Sequence, residues 1–173
     1  NQQLARRAQS GIDRALAERA SSKIAGHDPS LWSGMDLEEI TNRLGWTDSY
    51  QASQALLADL DSLRHWAQER DLDRIVLCGM GGSSLAPEVI CRNAGVELLV
   101  LDSSHPGTIR SALDELSRTV VVVSSKSGST LETESHFRQF FGEFELANMN
   151  PADHMVVVTD PGSALEERAR RSS

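Results

Sequence analysis

Four short aliphatic, β-branched runs in the second half of the chain, at residues 74–78, 97–101, 119–123 and 154–159, constrain its fold more than any other feature. Each run is almost wholly apolar and does not alternate, which is the pattern of a strand buried on both faces. Helix-length connections separate them, at about residues 84–93, 106–116 and 129–146. Strands joined by crossover helices run parallel, so the predicted class is α/β: a three-layer αβα sandwich around a parallel, flavodoxin-like sheet of order 2-1-3-4-5. In the last connection Phe137, Phe140, Phe141 and Phe144 fall at i, i+3, i+4 and i+7 and form its predicted core face, and Ser129 with Glu132 has the spacing of a capping box.

The first part of the chain has a different texture. Leu4, Ala8, Ile12 and Leu16 recur at helical spacing until Gly26, a short helix is expected from Asp36 to Leu44, and Asp48 with Gln51 is spaced to cap a third. That third helix carries Leu56, Leu60, Leu63 and Ala67 on one face. The expected organisation is therefore an N-terminal helical segment, residues 1–70, and an αβα domain, residues 71–173. Residues 160–166 open one more helix, with Ser163 and Glu166 as its capping box, so the domain is expected to continue past Ser173.

Charge and composition narrow the function. With 17 Lys and Arg against 25 Asp and Glu, the 173-residue chain has a net charge of -8, which disfavours nucleic acid or an anionic membrane as partner. No apolar run reaches the roughly 18 to 20 residues needed to cross a bilayer, and a cytoplasmic location is expected. Cys78 and Cys91 form no CxxC pair, and the five histidines lack metal-ligand spacing. Neither a metal nor an organic cofactor is expected.

Two strand-to-helix junctions carry the chemistry. The first strand is followed by Gly79-Met80-Gly81-Gly82-Ser83-Ser84, and the third by Ser124-Ser125-Lys126-Ser127-Gly128-Ser129-Thr130. Glycines let an anion approach backbone N–H groups, hydroxyls add neutral donors, and the following helix turns its positive dipole end to the same place. Such a cradle binds phosphate with few basic residues, as an acidic protein requires. In a 2-1-3-4-5 sheet the first and third strands are neighbours at the switch point, so both loops would flank one crevice. A dinucleotide fingerprint would need glycine in place of Ser84, a Walker A loop lacks its upstream glycine, and no G-x-S-x-G elbow is present. The alternative of plain turn glycines and helix caps remains open for either loop alone.

Residues 123–133, Val-Ser-Ser-Lys-Ser-Gly-Ser-Thr-Leu-Glu-Thr, resemble the phosphate loop of the sugar isomerase domain family. Residues 79–89, Gly-Met-Gly-Gly-Ser-Ser-Leu-Ala-Pro-Glu-Val, are similar to the first substrate loop of the glucose-6-phosphate isomerase family, notably a bacterial branch also found fused behind a transaldolase. Arg43-Leu44-Gly45-Trp46 and Val158-Thr159-Asp160-Pro161-Gly162 resemble that branch as well. The resemblance implies that Ser125, Ser127 and Thr130, with the Lys126 backbone, hold the phosphate, while Gly82 and Ser83 meet the sugar. It further implies interconversion of glucose 6-phosphate and fructose 6-phosphate through an enediol, a homodimeric enzyme, and catalytic groups lying downstream, so that these residues alone would not isomerise. Ser84 stands where the family has aspartate, and Gly128 and Leu131 differ from the aromatic residue and glutamine of the animal enzymes. A noncatalytic sugar-phosphate sensor is the alternative, and an amino-sugar phosphate isomerase would share the same phosphate loop.

Overall fold

The computed structural model describes residues 2–32 and 37–172 and divides into two compact units, Asn1–Asp61 and Ser62–Ser173. In the first unit α1 (Gln2–Ala17) and α2 (Ala20–Ala25) are separated at Arg19, which adopts a φ of 54°. Gly26 ends α2 as expected. The next helix, α3 (Leu37–Arg43), spans most of the predicted 36–44 segment; Asp36 lies outside the described residues.

The long helix expected from Asp48 is instead broken. A 3-10 turn (Leu44–Asp48) leads into α4 (Ser49–Gln54), and the chain resumes helix only as α5 (Leu57–Gln68). Asp48 makes no capping bond. Its carboxylate is engaged elsewhere, 3.1 Å from His27 Nε2, which also lies 2.7 Å from Thr47 Oγ1. The backbone tightens between the two helices, where the Leu56 N–H donates to the Ser53 carbonyl at 3.1 Å.

The second unit holds the sheet: β1 (Arg74–Gly79), β2 (Leu99–Leu101), β3 (Thr119–Ser124) and β4 (Met155–Val158), in the order β2-β1-β3-β4 and parallel throughout. The helices between them are α6 (Gly82–Ala94), α7 (Pro106–Ala112) and α8 (Leu131–Leu146), with α9 (Ala164–Arg171) after β4. The step from β1 to β2 runs opposite to the steps from β2 to β3 and β3 to β4, so right-handed crossovers put α6 on one face and α7 and α8 on the other. This is the predicted α/β class, with helices flanking an all-parallel sheet.

The core lies between the sheet and the α7, α8 and α9 layer. Val76, Cys78, Val121 and Val123 from the central strands meet Ala112, Phe137, Phe140, Phe144 and Leu165. Three of the four predicted phenylalanines are buried; Phe141 is only partly so and packs at the edge against Phe137, with ring centroids 5.9 Å apart. Burial pushes the Cys78 thiol up to about 12, so it behaves as a small apolar residue and not as a nucleophile. Polar clamps close the end of the sheet where the strands begin. Arg118 donates to both carboxylate oxygens of Asp73 at 2.6 Å, and the Arg74 guanidinium donates to the carbonyls of Ser111 and Ala112 at the end of α7 and of Asp114 just beyond it.

His136, on α8, is 2% exposed and its Nε2 lies 3.1 Å from the Ser103 carbonyl, which makes Nε2 the protonated nitrogen of a neutral ring. Its Nδ1 and the nearby buried Thr133 Oγ1 have no partner among the described residues. Desolvation lowers the pKa of His136, against the Ser103 carbonyl and the Glu132 charge that raise it.

Two outcomes follow. Phe140→Ala should destabilise the unit by about 3 to 5 kcal/mol in denaturant unfolding, because it empties a fully buried aromatic site. For His136 the folded pKa lies below the unfolded value, so the unfolded chain takes up the proton first as pH falls. The unfolding free energy should drop as pH is lowered from about 7 through about 6.5, and level off below the folded pKa. His136→Gln should remove that part of the pH dependence in guanidinium melts.

Candidate functional site

The geometry of the site starts from the pairing of β1 with β3. The two strands are in register over six residue pairs, from Arg74 with Thr119 to Gly79 with Ser124. Their last residues are therefore opposite one another, and both hydroxyl- and glycine-rich loops leave from the same level of the carboxyl edge. The 2-1-3-4 part of the expected strand order is observed.

The first loop turns tightly into α6. A Cβ on Gly79 would sit 3.2 Å from Ser83 Cβ and 3.3 Å from the Ser124 carbonyl oxygen, so a side chain there would push β1, its own loop and β3 apart by a few tenths of an ångström. Gly81 takes a φ of 56° with a ψ of -118°, a conformation that side chains rarely adopt, and its carbonyl accepts from the N–H groups of Ser84 and Leu85. Gly82, the first residue of α6, is exposed with open space where a Cβ would be; Ser83 is half-buried. Ser84 is buried, and its hydroxyl donates to the Gly81 carbonyl, so it fastens the turn from below.

The second loop differs from the expected capping pattern. The N-cap of α8 is Thr130, not Ser129, and it makes no side-chain capping bond. Two hydroxyl pairs replace the Ser129 and Glu132 box: Ser125 Oγ with Thr130 Oγ1 at 3.2 Å, and Ser127 Oγ with Ser129 Oγ at 2.8 Å. Ser127 Oγ also accepts from the Ser129 N–H. The hydroxyls thus bond across the loop and leave the first turn of α8 uncapped, with its N–H donors directed at the loop. Ser125 is buried, Thr130 half-buried, and Lys126 and Ser127 are exposed. Among the described residues no protein acceptor takes the N–H groups of Lys126, Ser127 or Thr130. Glu132 and Glu134 lie in the same first turn, and Glu134 is neutralised by Arg138 at 2.7 Å and Arg168 at 2.9 Å.

A third junction, after β4, was not singled out for chemistry in the sequence. The Asp160 N–H and the Thr159 hydroxyl both donate to the Lys126 carbonyl, at 3.1 and 3.3 Å, and the Ser125 N–H donates to the Val158 carbonyl. Ser163 accepts the Glu166 N–H as its capping box predicts, but the Glu166 carboxylate reaches back to the Gly162 N–H, one residue before the cap, at 2.6 Å. That bond and the Arg170 guanidinium hold the Glu166 pKa below the usual carboxylate range. The signal for this junction was Thr-Asp-Pro-Gly-Ser at the end of a strand, readable only once β4 is known to neighbour β3. Cavities of about 270 Å³ beside β4 and about 160 Å³ at the opposite end of the sheet contain none of the predicted site residues. Among the described residues no cluster of His, Cys, Asp and Glu could hold a metal, and no helix is long and apolar enough to cross a membrane.

Comparison with known proteins gives the same direction as the loops. The chain is 32% identical over 175 residues, 92% of its own length, to the glucose-6-phosphate isomerase of Citrifermentans bemidjiense, and 31% identical over 171 residues to a probable glucose-6-phosphate isomerase of Natronomonas pharaonis. The chain is thus similar, over most of its own length, to proteins named glucose-6-phosphate isomerase. It spans 32% and 38% of the length of those two relatives. Among solved structures, a hypothetical protein of Thermus thermophilus superposes with a TM-score of 0.66 at 28% identity, over 94% of this chain and 40% of that one. A glucose-6-phosphate isomerase from Chlamydia trachomatis superposes with a TM-score of 0.56 at 22% identity, over 85% and 29%, and so shares the fold. No family model matches the chain.

Gly128 is the joint between the second and third loops. Its φ is 66°, and a Cβ there would lie 2.9 Å from the Leu165 amide nitrogen and from Ser163 Cβ. Gly128→Ala should therefore cost about 1 to 3 kcal/mol in thermal or denaturant unfolding, from the left-handed backbone alone, before any displacement of α9.

Proposed function

We propose that the chain supplies the phosphate-binding part of a glucose-6-phosphate isomerase, an aldose-ketose isomerase acting on glucose 6-phosphate and fructose 6-phosphate. The observation that carries the reading is the register of β1 and β3, which starts both donor-rich loops from opposed residues, Gly79 and Ser124. In this reading the hydroxyls of Ser125, Ser127 and Thr130 and the N–H of Lys126 hold the monoester dianion, and Gly82 and Ser83 approach the sugar from the facing loop. The uncapped start of α8 adds its dipole. Neutral donors serve here because the hydroxyls are preorganised by the loop's own hydrogen bonds, Ser125 with Thr130 and Ser127 with Ser129.

Such a site does no proton transfer itself. Its part is to convert binding of the remote phosphate into placement of C1 and C2 against an acid-base pair, which raises turnover and not only affinity. The family's carboxylate base, arginine, histidine and lysine correspond to no residue assigned in this chain, and we expect no isomerisation by these 173 residues alone. The reading also places the working enzyme in the cytoplasm as a homodimer. The isomerase names of the relatives favour an enzyme over a sugar-phosphate sensor.

Calorimetric titration with fructose 6-phosphate tests the assignment. Ser127→Ala combined with Thr130→Ala removes two donors to a charged oxygen and should weaken binding by roughly 3 to 6 kcal/mol, less where water replaces the hydroxyls. Unchanged affinity in the double variant rejects this phosphate loop.

A further inference from the structure

We propose that Thr159, together with the Asp160 main chain, is a positioning element for the phosphate loop: it fixes the plane of the peptide between Lys126 and Ser127 so that the Ser127 N–H points into the crevice. The inference rests on the phosphate-loop reading above and adds the residue that orients one of its donors.

The geometry is that of a single peptide unit. In a trans peptide the carbonyl and the following N–H point in opposite directions, and the described residues contain no cis bond. The Lys126 carbonyl is held from the β4 side by two donors, the Asp160 N–H at 3.1 Å and Thr159 Oγ1 at 3.3 Å. Its partner, the Ser127 N–H, is therefore directed away from β4. On a sheet of order β2-β1-β3-β4 that direction is the side of β1, where Gly82 and Ser83 begin α6. The Ser127 N–H has no protein acceptor among the described residues, so the orientation leaves an outward donor facing the crevice.

One further contact holds Thr159, and a second holds the loop it supports. Its hydroxyl lies 2.8 Å from Ser163 Oγ, itself the N-cap of α9. Gly128, two residues after Lys126, abuts Ser163 and Leu165 so closely that no side chain would fit between them. The loop is thus gripped on both sides of Ser127, at Lys126 and at Gly128, while Ser127 itself is exposed. Thr159 touches no substrate in this arrangement; it acts through the Lys126 carbonyl.

The experiment compares the wild-type chain with Thr159→Val, which keeps the shape and removes the hydroxyl, and Thr159→Ser, which restores it. Binding of fructose 6-phosphate is followed by calorimetry, and the Ser127 amide resonance is followed during titration with inorganic phosphate. Thr159→Val should weaken fructose 6-phosphate binding about tenfold and reduce the Ser127 amide shift, with Thr159→Ser within about twofold of wild type. Arg118→Gln, which loosens the opposite end of the sheet, serves as a control for general destabilisation and should bind normally. Wild-type affinity in Thr159→Val, no recovery in Thr159→Ser, or an equal loss in Arg118→Gln overturns the positioning role and leaves the phosphate loop standing. A wild-type chain that takes up neither fructose 6-phosphate nor phosphate overturns the loop assignment itself and this inference with it.

Discussion

The in-register pairing of β1 and β3 is the constraint on which the site depends. Six consecutive residue pairs bring Gly79 opposite Ser124, and the side chains that enforce the register, Val76 and Cys78 against Val121 and Val123, are buried in the core of the unit. A slip of one residue would turn these apolar side chains to the other face of the sheet. The same slip would move one loop about 3.3 Å along the strand relative to the other, enough to part the proposed phosphate and sugar contacts. The core and the site are thus specified by one set of contacts, and Gly79 marks where they meet, since the first loop touches β3 there.

In the proposed site an acidic protein would hold a phosphate dianion, and the loops offer a local answer to that electrostatic problem. Net charge of -8 sets an unfavourable field at long range, but that field is screened over about 10 Å at ordinary salt, whereas N–H donors act at contact. Glu134 in the first turn of α8 is paired with two arginines, which limits its repulsion. The proposed cradle rests on preorganised dipoles in place of a cluster of lysines, and that fits a ligand that must be held in one orientation and not merely attracted.

Preorganisation in turn requires that the loop cannot relax. Hydroxyl pairs bond across it from within, Ser125 with Thr130 and Ser127 with Ser129, and the β4 to α9 junction holds it from outside through Lys126 and Gly128. Three strand-to-helix junctions of the sheet therefore have distinct tasks: one faces the sugar in the proposed site, one holds the phosphate, and one supports the second.

Much of this was legible in the residues themselves. Four apolar runs, their crossover spacing and the phenylalanine stripe on α8 determined an α/β unit with a parallel sheet, because uniform burial of a strand and helical periodicity are local properties of composition. The two donor-rich loops were visible for the same reason. Capping was legible at Ser163, which accepts the Glu166 N–H, but not at two other positions: Asp48 is engaged by His27, and Ser129 is paired with Ser127, so neither makes the bond its spacing suggested. Only the tertiary structure decided which partner each polar side chain takes, and it alone revealed that Thr159 and Asp160 reach Lys126. The Lys126 contacts depend on β3 and β4 becoming neighbours, and hydrogen bonds between residues 33 apart along the chain leave no periodic trace in a sequence.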